Sequence, residues 1–150
     1  MELIDSGNIN DARKKIDKLF QSGKEIIVVA KDSEFNRKIL ENKKVDVLLF
    51  TNFFGNRNRL KQRDSGLNHV LCKIAKENNI SIGIDFSIFL NKGGFQLSHL
   101  LSSTIQNISL CSKYKTKMLI FNIENRNKSE IISFLSSLGM PSYMFNKVFE

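Results

Sequence analysis

The stretch IIVVAKDSEFNRKILENKKVDVLLF, residues 26–50, decides the fold class, because two mainly apolar runs enclose an amphipathic segment. The first run, Ile26–Ala30, is continuous and β-branched, as expected of a strand that is buried on both faces. The second run, Val45–Phe50, has the length of another strand. Between them, Ser33 is a favourable N-cap for a helix that extends through Asn42. This order of elements predicts a βαβ unit with parallel strands.

The same alternation continues on both sides of this unit. Apolar runs and helical spacing predict further strands at residues 2–4, 80–86 and 118–123, and further helices at residues 10–21, 65–78, 96–114 and 129–138. Strands that alternate with helices in this way predict one α/β domain, residues 1–150, with a parallel sheet and about five βα units. The apolar tail, residues 142–150, is predicted to dock on this domain.

Two of the helices lead to predictions about single residues. In the helix at 65–78, Asp64 and Ser65 are both able to accept hydrogen bonds from the free N–H groups of the first turn. In the helix at 96–114, the apolar residues that we expect to point inward are Leu97, Leu100, Leu101, Ile105, Ile108 and Cys111.

Length and composition exclude several classes of protein. The 150 residues are 41% apolar and 25% charged, which argues against a disordered chain. The apolar runs are far shorter than the roughly 20 residues of a membrane span, and the N-terminus lacks the features of a secretory signal. The spacing between Cys72 and Cys111 is not that of a metal-binding motif, so we expect both to be buried thiols. We therefore expect a soluble, cytoplasmic protein with no membrane partner.

The charge of the chain points to a polyanionic partner. There are 23 Lys and Arg residues against 15 Asp and Glu residues, a net charge of +8, and RNA or DNA is the common partner of such proteins. The positive charge is densest in residues 55–63, where four cations occur without an anion between a strand and a helix. The residues that we predict to contact RNA are Asn56, Arg57, Asn58, Arg59, Lys61 and Arg63. The alternative is a solvated loop.

Other residues beside these cations allow more than one interpretation. Phe53 and Phe54 precede the basic segment, and packing against the domain is expected of them more than stacking on RNA bases. A second basic cluster, Lys113, Lys115 and Lys117, is equally compatible with a solvated turn.

Carboxylates at the ends of the predicted strands suggest a different function. Asp32, Asp85 and Glu124 follow three strands, where functional groups of parallel α/β folds gather. A small metal-dependent phosphoesterase that uses Asp32, Asp85 and His69 is therefore an alternative, and a plain interaction module is a third. The ordinary role of such carboxylates is to begin a turn or cap a helix, and the chain has none of the common catalytic motifs.

Three stretches of the sequence resemble a known family, and they occur in the family's order. They are DSEFNRKILENKKVDVL at residues 32–48, RDSGLNHVLCKIAKENNISIG at residues 63–83 and QNISLCSKY at residues 106–114. The family is archaeal ribonuclease P protein component 3, which is related to the thirty-kilodalton eukaryotic subunit. The resemblance covers roughly residues 26–140.

This resemblance implies a parallel βα barrel of the TIM or PHP type and a subunit of the particle that removes 5′ leaders from precursor tRNA. Catalysis in that particle belongs to the RNA with its Mg²⁺ ions, so the chain itself is expected to be noncatalytic and to bind no cofactor. The implied partners are the ribonuclease P RNA, protein component 2 with the other ribonuclease P proteins, and precursor tRNA as the substrate of the whole particle.

One departure from the family concerns the number of βα units. Family members usually have more such units before the segment that matches Ile26, whereas 25 residues precede it here. The resemblance therefore implies an incomplete barrel with open strand edges, which a partner subunit, a second copy or the tail at 142–150 would cover. The histidine motifs of PHP hydrolases are also missing from the sequence, as expected of a noncatalytic subunit.

Overall fold

The computed structural model of the protein describes residues 1–51, 64–90, 92–123 and 125–149. The strands are β1 (Glu2–Ile4), β2 (Ile26–Val29), β3 (Val47–Phe50), β4 (Ser81–Asp85) and β5 (Met118–Phe121). The helices are α1 (Ile9–Phe20), α2 (Ser33–Leu40), α3 (His69–Glu77), α4 (Gly94–Tyr114) and α5 (Lys128–Ser137). Short 3-10 helices span Phe86–Phe89 and Ser142–Lys147. No helix of these described ranges is both long enough and apolar enough to cross a membrane.

The strands form one parallel sheet in the order β1-β2-β3-β4-β5. Val28 lies opposite Leu48, which in turn lies opposite Ile82. A doubly wound sheet reverses its strand order at a switch point, whereas this order is sequential throughout, as in a TIM barrel. The sheet therefore confirms the predicted α/β class and the incomplete barrel with five βα units.

The two faces of the sheet bury different sets of residues. On one face, alternate strand residues such as Val28, Leu48 and Ile82 pack in a single core with side chains from all five helices. On the other face, a smaller cluster consists of strand residues only: Ile27, Val47, Leu49 and Leu119, with Phe121 packed against them. Helices on one face and a separate inner cluster on the other correspond to the outside and the interior of a barrel.

Gly83 in β4 has no side chain, and side chains of the inner cluster occupy the space beside it. A Cβ atom at this position would lie 2.9 Å from Val47 Cγ1, 3.0 Å from Leu49 Cδ1 and 3.0 Å from Phe121 Cε2. Side chains from the neighbouring strands β3 and β5 therefore lean across the glycine and close the inner layer.

The predicted start of α3 is wrong by four residues. The helix begins at His69, and Asn68 Oδ1 accepts hydrogen bonds from the N–H groups of Val70 and Leu71, both at 3.0 Å. Asp64 instead accepts from the N–H of Gly66, whose φ of +78° is incompatible with a helix. Ser65 Oγ likewise bonds within the turn and does not cap the helix. The end of the helix at Asn78 and Asn79 is as predicted, since Asn79 has a φ of +57°.

The predicted inward stripe of α4 is partly wrong. Leu100, Ile108 and Cys111 are buried, but Leu97 and Leu101 are only half-buried and Ile105 is 41% exposed. The buried stripe is completed by three polar residues, Ser103, Thr104 and Asn107. These six buried positions follow regular helical spacing. Apolar character alone gives the wrong prediction at two neighbouring positions, because the polar Thr104 is buried and the apolar Ile105 is not. Thr104 is accommodated because its hydroxyl donates to the Leu100 carbonyl at 2.8 Å.

Two smaller predictions concern α2 and the tail. The cap of α2 is Asp32, whose Oδ1 accepts from the N–H groups of Glu34 and Phe35, so Ser33 is the first helical residue. The tail docks as predicted. Its Val148 carbonyl accepts from the N–H of Ile120 in β5 at 2.8 Å, and Val148 is fully buried.

Cys72 in α3 and Cys111 in α4 are buried free thiols, as predicted. A hydrogen bond between the two thiols raises the pKa of Cys111, and burial adds to that shift. The same hydrogen bond lowers the pKa of Cys72. The pair lies where α3 packs on α4, and Thr116 Oγ1 closes this contact by donating to the Cys72 carbonyl at 3.0 Å.

Candidate nucleic-acid interface

Positive charge is distributed unevenly along the chain. Residues 1–51 hold ten Lys and Arg against nine Asp and Glu, whereas residues 52–150 hold thirteen against six. All five ion pairs among the described residues join side chains within residues 2–44. One of them, between Lys24 and Glu2, lowers the pKa of Glu2. The first third of the chain is therefore nearly neutral, and the excess charge lies in the remainder.

The buried side chain of Asn36 joins the carboxyl end of β2 to the turn that precedes α3. Its Oδ1 accepts from the N–H of Lys31 at 2.7 Å, and its Nδ2 donates to the carbonyls of Lys31 at 3.1 Å and Gly66 at 3.2 Å. Gly66 has a φ of +78°, and a Cβ there would lie 3.3 Å from Phe50 Cε1, so the backbone conformation and the close packing of this turn both favour glycine. Asn36 thus fixes the turn at residues 64–67 against the edge of the sheet.

This turn determines where the basic segment is attached. The chain passes Thr51 at the end of β3 and re-enters the described structure at Asp64, beside the same edge. The predicted RNA-contacting residues lie between these points, outside the described residues: Asn56, Arg57, Asn58, Arg59, Lys61 and Arg63. Phe53 and Phe54 lie outside them as well. Both attachment points are at the carboxyl edge of the sheet, where α/β folds place their binding loops.

The carboxylates proposed for a hydrolase have structural roles where they are described. Asp32 caps α2, and Asp85 Oδ1 accepts from the N–H of Ser87 at 2.9 Å and from its Oγ at 2.7 Å. His69 begins α3 on the surface, with its ring 6.4 Å from that of Tyr114. Glu124 lies outside the described residues. The described part of the chain brings no three His, Cys, Asp or Glu side chains together as metal ligands.

A second group of basic residues lies away from this edge, at the end of α4. Lys113 and Lys115, for which a solvated turn was equally compatible with the sequence, lie beside Lys73 of α3 and two tyrosines. The sequence marks only the lysines at 113 and 115 of this group. Lys73 and Tyr143 are far from them along the chain, and the packing of α3, α4 and the tail brings them together.

A comparison with solved structures finds a protein of similar fold. The chain superimposes on a chain of the cryo-EM structure of archaeal ribonuclease P with mature tRNA, with a TM-score of 0.74 and 24% identity, over 97% of this chain and 61% of that one. The protein is therefore an incomplete parallel α/β barrel whose fold occurs in that particle.

Proteins with similar sequences share one name. A Methanococcus maripaludis protein is 25% identical over 145 residues, 93% of this chain and 60% of its own length. A Methanococcoides burtonii protein is 33% identical over 142 residues, 89% of this chain and 52% of its own length. Both are named ribonuclease P protein component 3, so the resemblance to that protein is confirmed over most of the chain. No family model matches it.

The relatives are longer than this chain. The Methanosarcina acetivorans protein of the same name is 35% identical over 102 residues, which make up 67% of this chain and 39% of the relative. The chain spans at most about three fifths of the length of the curated relatives that it matches. The similarity therefore covers the five βα units described above and not the whole of those proteins.

Proposed function

We propose that the chain is a protein subunit of ribonuclease P, the ribonucleoprotein that removes 5′ leaders from precursor tRNA. The observation that carries this proposal is the similarity to component 3 of several archaea across as much as 93% of the chain. The excess of positive charge in residues 52–150 supports it, because a subunit of this kind must lie against RNA phosphates. In this role the chain binds and stabilises the catalytic RNA.

The subunit acts together with other molecules. Its protein partners are component 2 and the other ribonuclease P proteins, its RNA partner is the ribonuclease P RNA, and precursor tRNA is the substrate of the assembled particle. The basic segment at 55–63 contacts RNA through phosphates, which positions the protein without reading base sequence. Its attachment at the carboxyl edge, held by Asn36, presents the segment from a rigid part of the fold.

We infer that the chain is itself noncatalytic and binds no cofactor, and that the Mg²⁺ used in cleavage belongs to the RNA. The contacts of Asp32 and Asp85 support this inference, since the Oδ1 of each accepts hydrogen bonds from its own turn, which is the ordinary role of a carboxylate that begins a helix. The phosphoesterase alternative has no comparable support among the described residues.

Reconstitution tests the proposal. The ribonuclease P RNA and the other protein subunits are assembled with and without this chain, and cleavage of precursor tRNA is measured at a fixed Mg²⁺ concentration. We expect the chain to increase cleavage by the assembly and to be inactive alone. RNA that copurifies with the tagged chain is sequenced in parallel, and we expect ribonuclease P RNA to be enriched. Metal-dependent cleavage by the pure chain that is lost in Asp85→Ala would instead establish the phosphoesterase.

A further inference from the structure

Three separate parts of the chain meet at the carboxyl end of α4 and form a surface of lysines and aromatic rings. Lys73 of α3 and Lys113 of α4 each place Nζ 5.8 Å from the centroid of the Tyr114 ring. His69 belongs to the same group, with its ring 6.4 Å from that of Tyr114. Both ammonium groups are therefore at the distance of a cation–π interaction with the same tyrosine ring.

Tyr143 of the tail extends this group. Its hydroxyl donates to the Ser112 carbonyl at 3.1 Å and lies 2.8 Å from Ser112 Oγ. Lys115 Nζ is 4.4 Å from the centroid of the Tyr143 ring. Tyr143 is fixed at its hydroxyl end yet 51% exposed, so a fixed aromatic surface remains open to solvent. A side chain that served only to dock the tail would be buried, as Met144 and Val148 are.

The lysines of this surface, Lys73, Lys113 and Lys115, have no salt-bridge partner in the part of the chain that the structure describes. The whole of α4 contains no Asp or Glu. Glu77 lies one turn from Lys73 in α3 but forms no ion pair with it. This differs from residues 2–44, where each of five cations has a carboxylate within salt-bridge distance.

We infer that this lysine–tyrosine surface, formed by Lys73, Lys113, Tyr114, Lys115 and Tyr143, is a second RNA-binding site that takes unpaired nucleotides. The inference rests on the proposed function, since it assumes that the chain binds RNA. The three ammonium groups bind phosphates, and the face of the Tyr143 ring that Lys115 does not cover stacks on a base. Lysines along a backbone path with an exposed aromatic ring are the combination that single-stranded nucleic acid binds without sequence preference.

RNA fits this surface better than an acidic protein does. A carboxylate-rich partner would pair with the lysines and would leave the half-exposed ring without a role, whereas a nucleotide uses both its phosphate and its base. The site also differs from the basic segment at 55–63. It is built on two packed helices and the tail and carries lysines and rings, whereas the segment is attached at the carboxyl edge and carries mainly arginines.

The test measures binding of the full chain to a fluorescent single-stranded uridine dodecamer over a series of salt concentrations. The variant Lys73→Gln/Lys113→Gln/Lys115→Gln is compared with Lys14→Gln/Lys15→Gln/Lys18→Gln, which removes the same charge from exposed positions of α1. We expect the first variant to lower affinity at least tenfold and to reduce the log–log salt slope by about 2, at roughly 0.7 for each phosphate that is no longer bound. We expect the α1 variant to change affinity less than twofold.

The aromatic contribution is tested separately. Tyr143→Leu should weaken binding several-fold with an unchanged salt slope, because it removes stacking and no charge, and Tyr143→Phe should retain most of the affinity. Thermal melts of all variants check that folding is preserved. Equal losses in the α3–α4 and α1 lysine variants, or a loss of component 2 binding without a loss of RNA binding, would overturn the inference. Failure of the unaltered chain to bind any RNA would instead contradict the proposed function.

Discussion

Asn36 and Gly66, thirty residues apart, are joined by a hydrogen bond of 3.2 Å from the buried Asn36 Nδ2 to the Gly66 carbonyl. The same carboxamide also bonds the N–H and the carbonyl of Lys31. One side chain therefore connects the end of β2, the start of α2 and the turn to which the basic segment returns. The position of the turn to which the basic segment returns therefore depends on a buried side chain of α2.

Replacement of Asn36 tests this dependence. We expect Asn36→Ala to lower the free energy of unfolding by about 3 kcal/mol, since each buried group that loses its partner costs roughly 1–3 kcal/mol. The exposed Asn10→Ala is the control and should stay within about 0.5 kcal/mol of the unaltered protein. Urea unfolding followed by circular dichroism measures both. A change of Asn36→Ala no larger than that of the control would mean that the junction does not depend on these bonds.

Gly83 provides a test of the inner layer of the barrel. Gly83→Ala introduces a methyl group about 3 Å from side chains of β3 and β5, and such overpacking typically costs about 1–3 kcal/mol. Gly7→Ala, where no atom lies within 4 Å, should be neutral or stabilise the protein by up to about 1 kcal/mol. Chemical denaturation of the two variants side by side distinguishes a packed inner layer from a loose one, in which both alanines would behave alike.

A matched pair of substitutions at Asn68 tests the assignment of the α3 cap. Because Asn68 Oδ1 accepts from two backbone N–H groups, Asn68→Ala should destabilise the protein by about 1 kcal/mol. Asn68→Asp keeps the accepting oxygen and should retain nearly all of the stability. Thermal melting is sufficient to separate them. Equal melting temperatures for the alanine and aspartate variants would contradict the assignment of Asn68 as the cap.

The elements that can be predicted well from the sequence are those fixed by local pattern. Strands β2 and β3 are continuous apolar runs that need no knowledge of their neighbours, and the tail at 142–150 is apolar enough to predict its docking. The predicted start of α3 is wrong because Asp64, Ser65 and Asn68 are all good caps, and only the positive φ of Gly66 selects the last. The turn that contains Gly66 also contacts Asn36 and Phe50, which are distant in sequence.

The burial of α4 and the lysine–tyrosine surface could not be predicted for a related reason. Apolar character favours Ile105, yet the direction from which the sheet and α3 approach α4 buries Thr104 and Asn107. Likewise Tyr143 could be predicted to dock but not to lie over the end of α4 beside Lys115. In both cases the exposure and the contacts of a side chain depend on how helices, sheet and tail pack together, which cannot be inferred from one sequence alone.

The open edge of the sheet leads to a prediction about association. Among the described residues β1 pairs only with β2, while the tail partly covers β5 through the bond between Ile120 and Val148. Unpaired edges recruit other chains, so we expect the protein to form a dimer or a stable complex with component 2. Leu3→Lys, at a side chain that is already 58% exposed, should weaken that association without unfolding the chain. Light scattering that shows a monomer indifferent to component 2 would contradict this.

Substitution of the basic segment at 55–63 is the most direct test of RNA binding at the carboxyl edge. Four cations in nine residues without a carboxylate should contact mainly phosphates, and each contact releases counterions, so affinity should fall steeply with salt. Replacing Arg57, Arg59, Lys61 and Arg63 with alanine should reduce the log–log salt slope by up to about 3, taking roughly 0.7 for each phosphate bound in single-stranded regions.

The effect of that quadruple variant on folding should be small. By contrast, Leu71→Ala removes a buried side chain of α3 and should cost about 2–5 kcal/mol through the cavity that it leaves. RNA binding across a salt series, with thermal melts of both variants, separates weakened RNA binding from a damaged fold. An unchanged slope with an unchanged melting temperature would show that the segment is merely solvated. RNA binding would then depend on the lysine–tyrosine surface, and its triple glutamine variant should by itself remove most of the salt dependence.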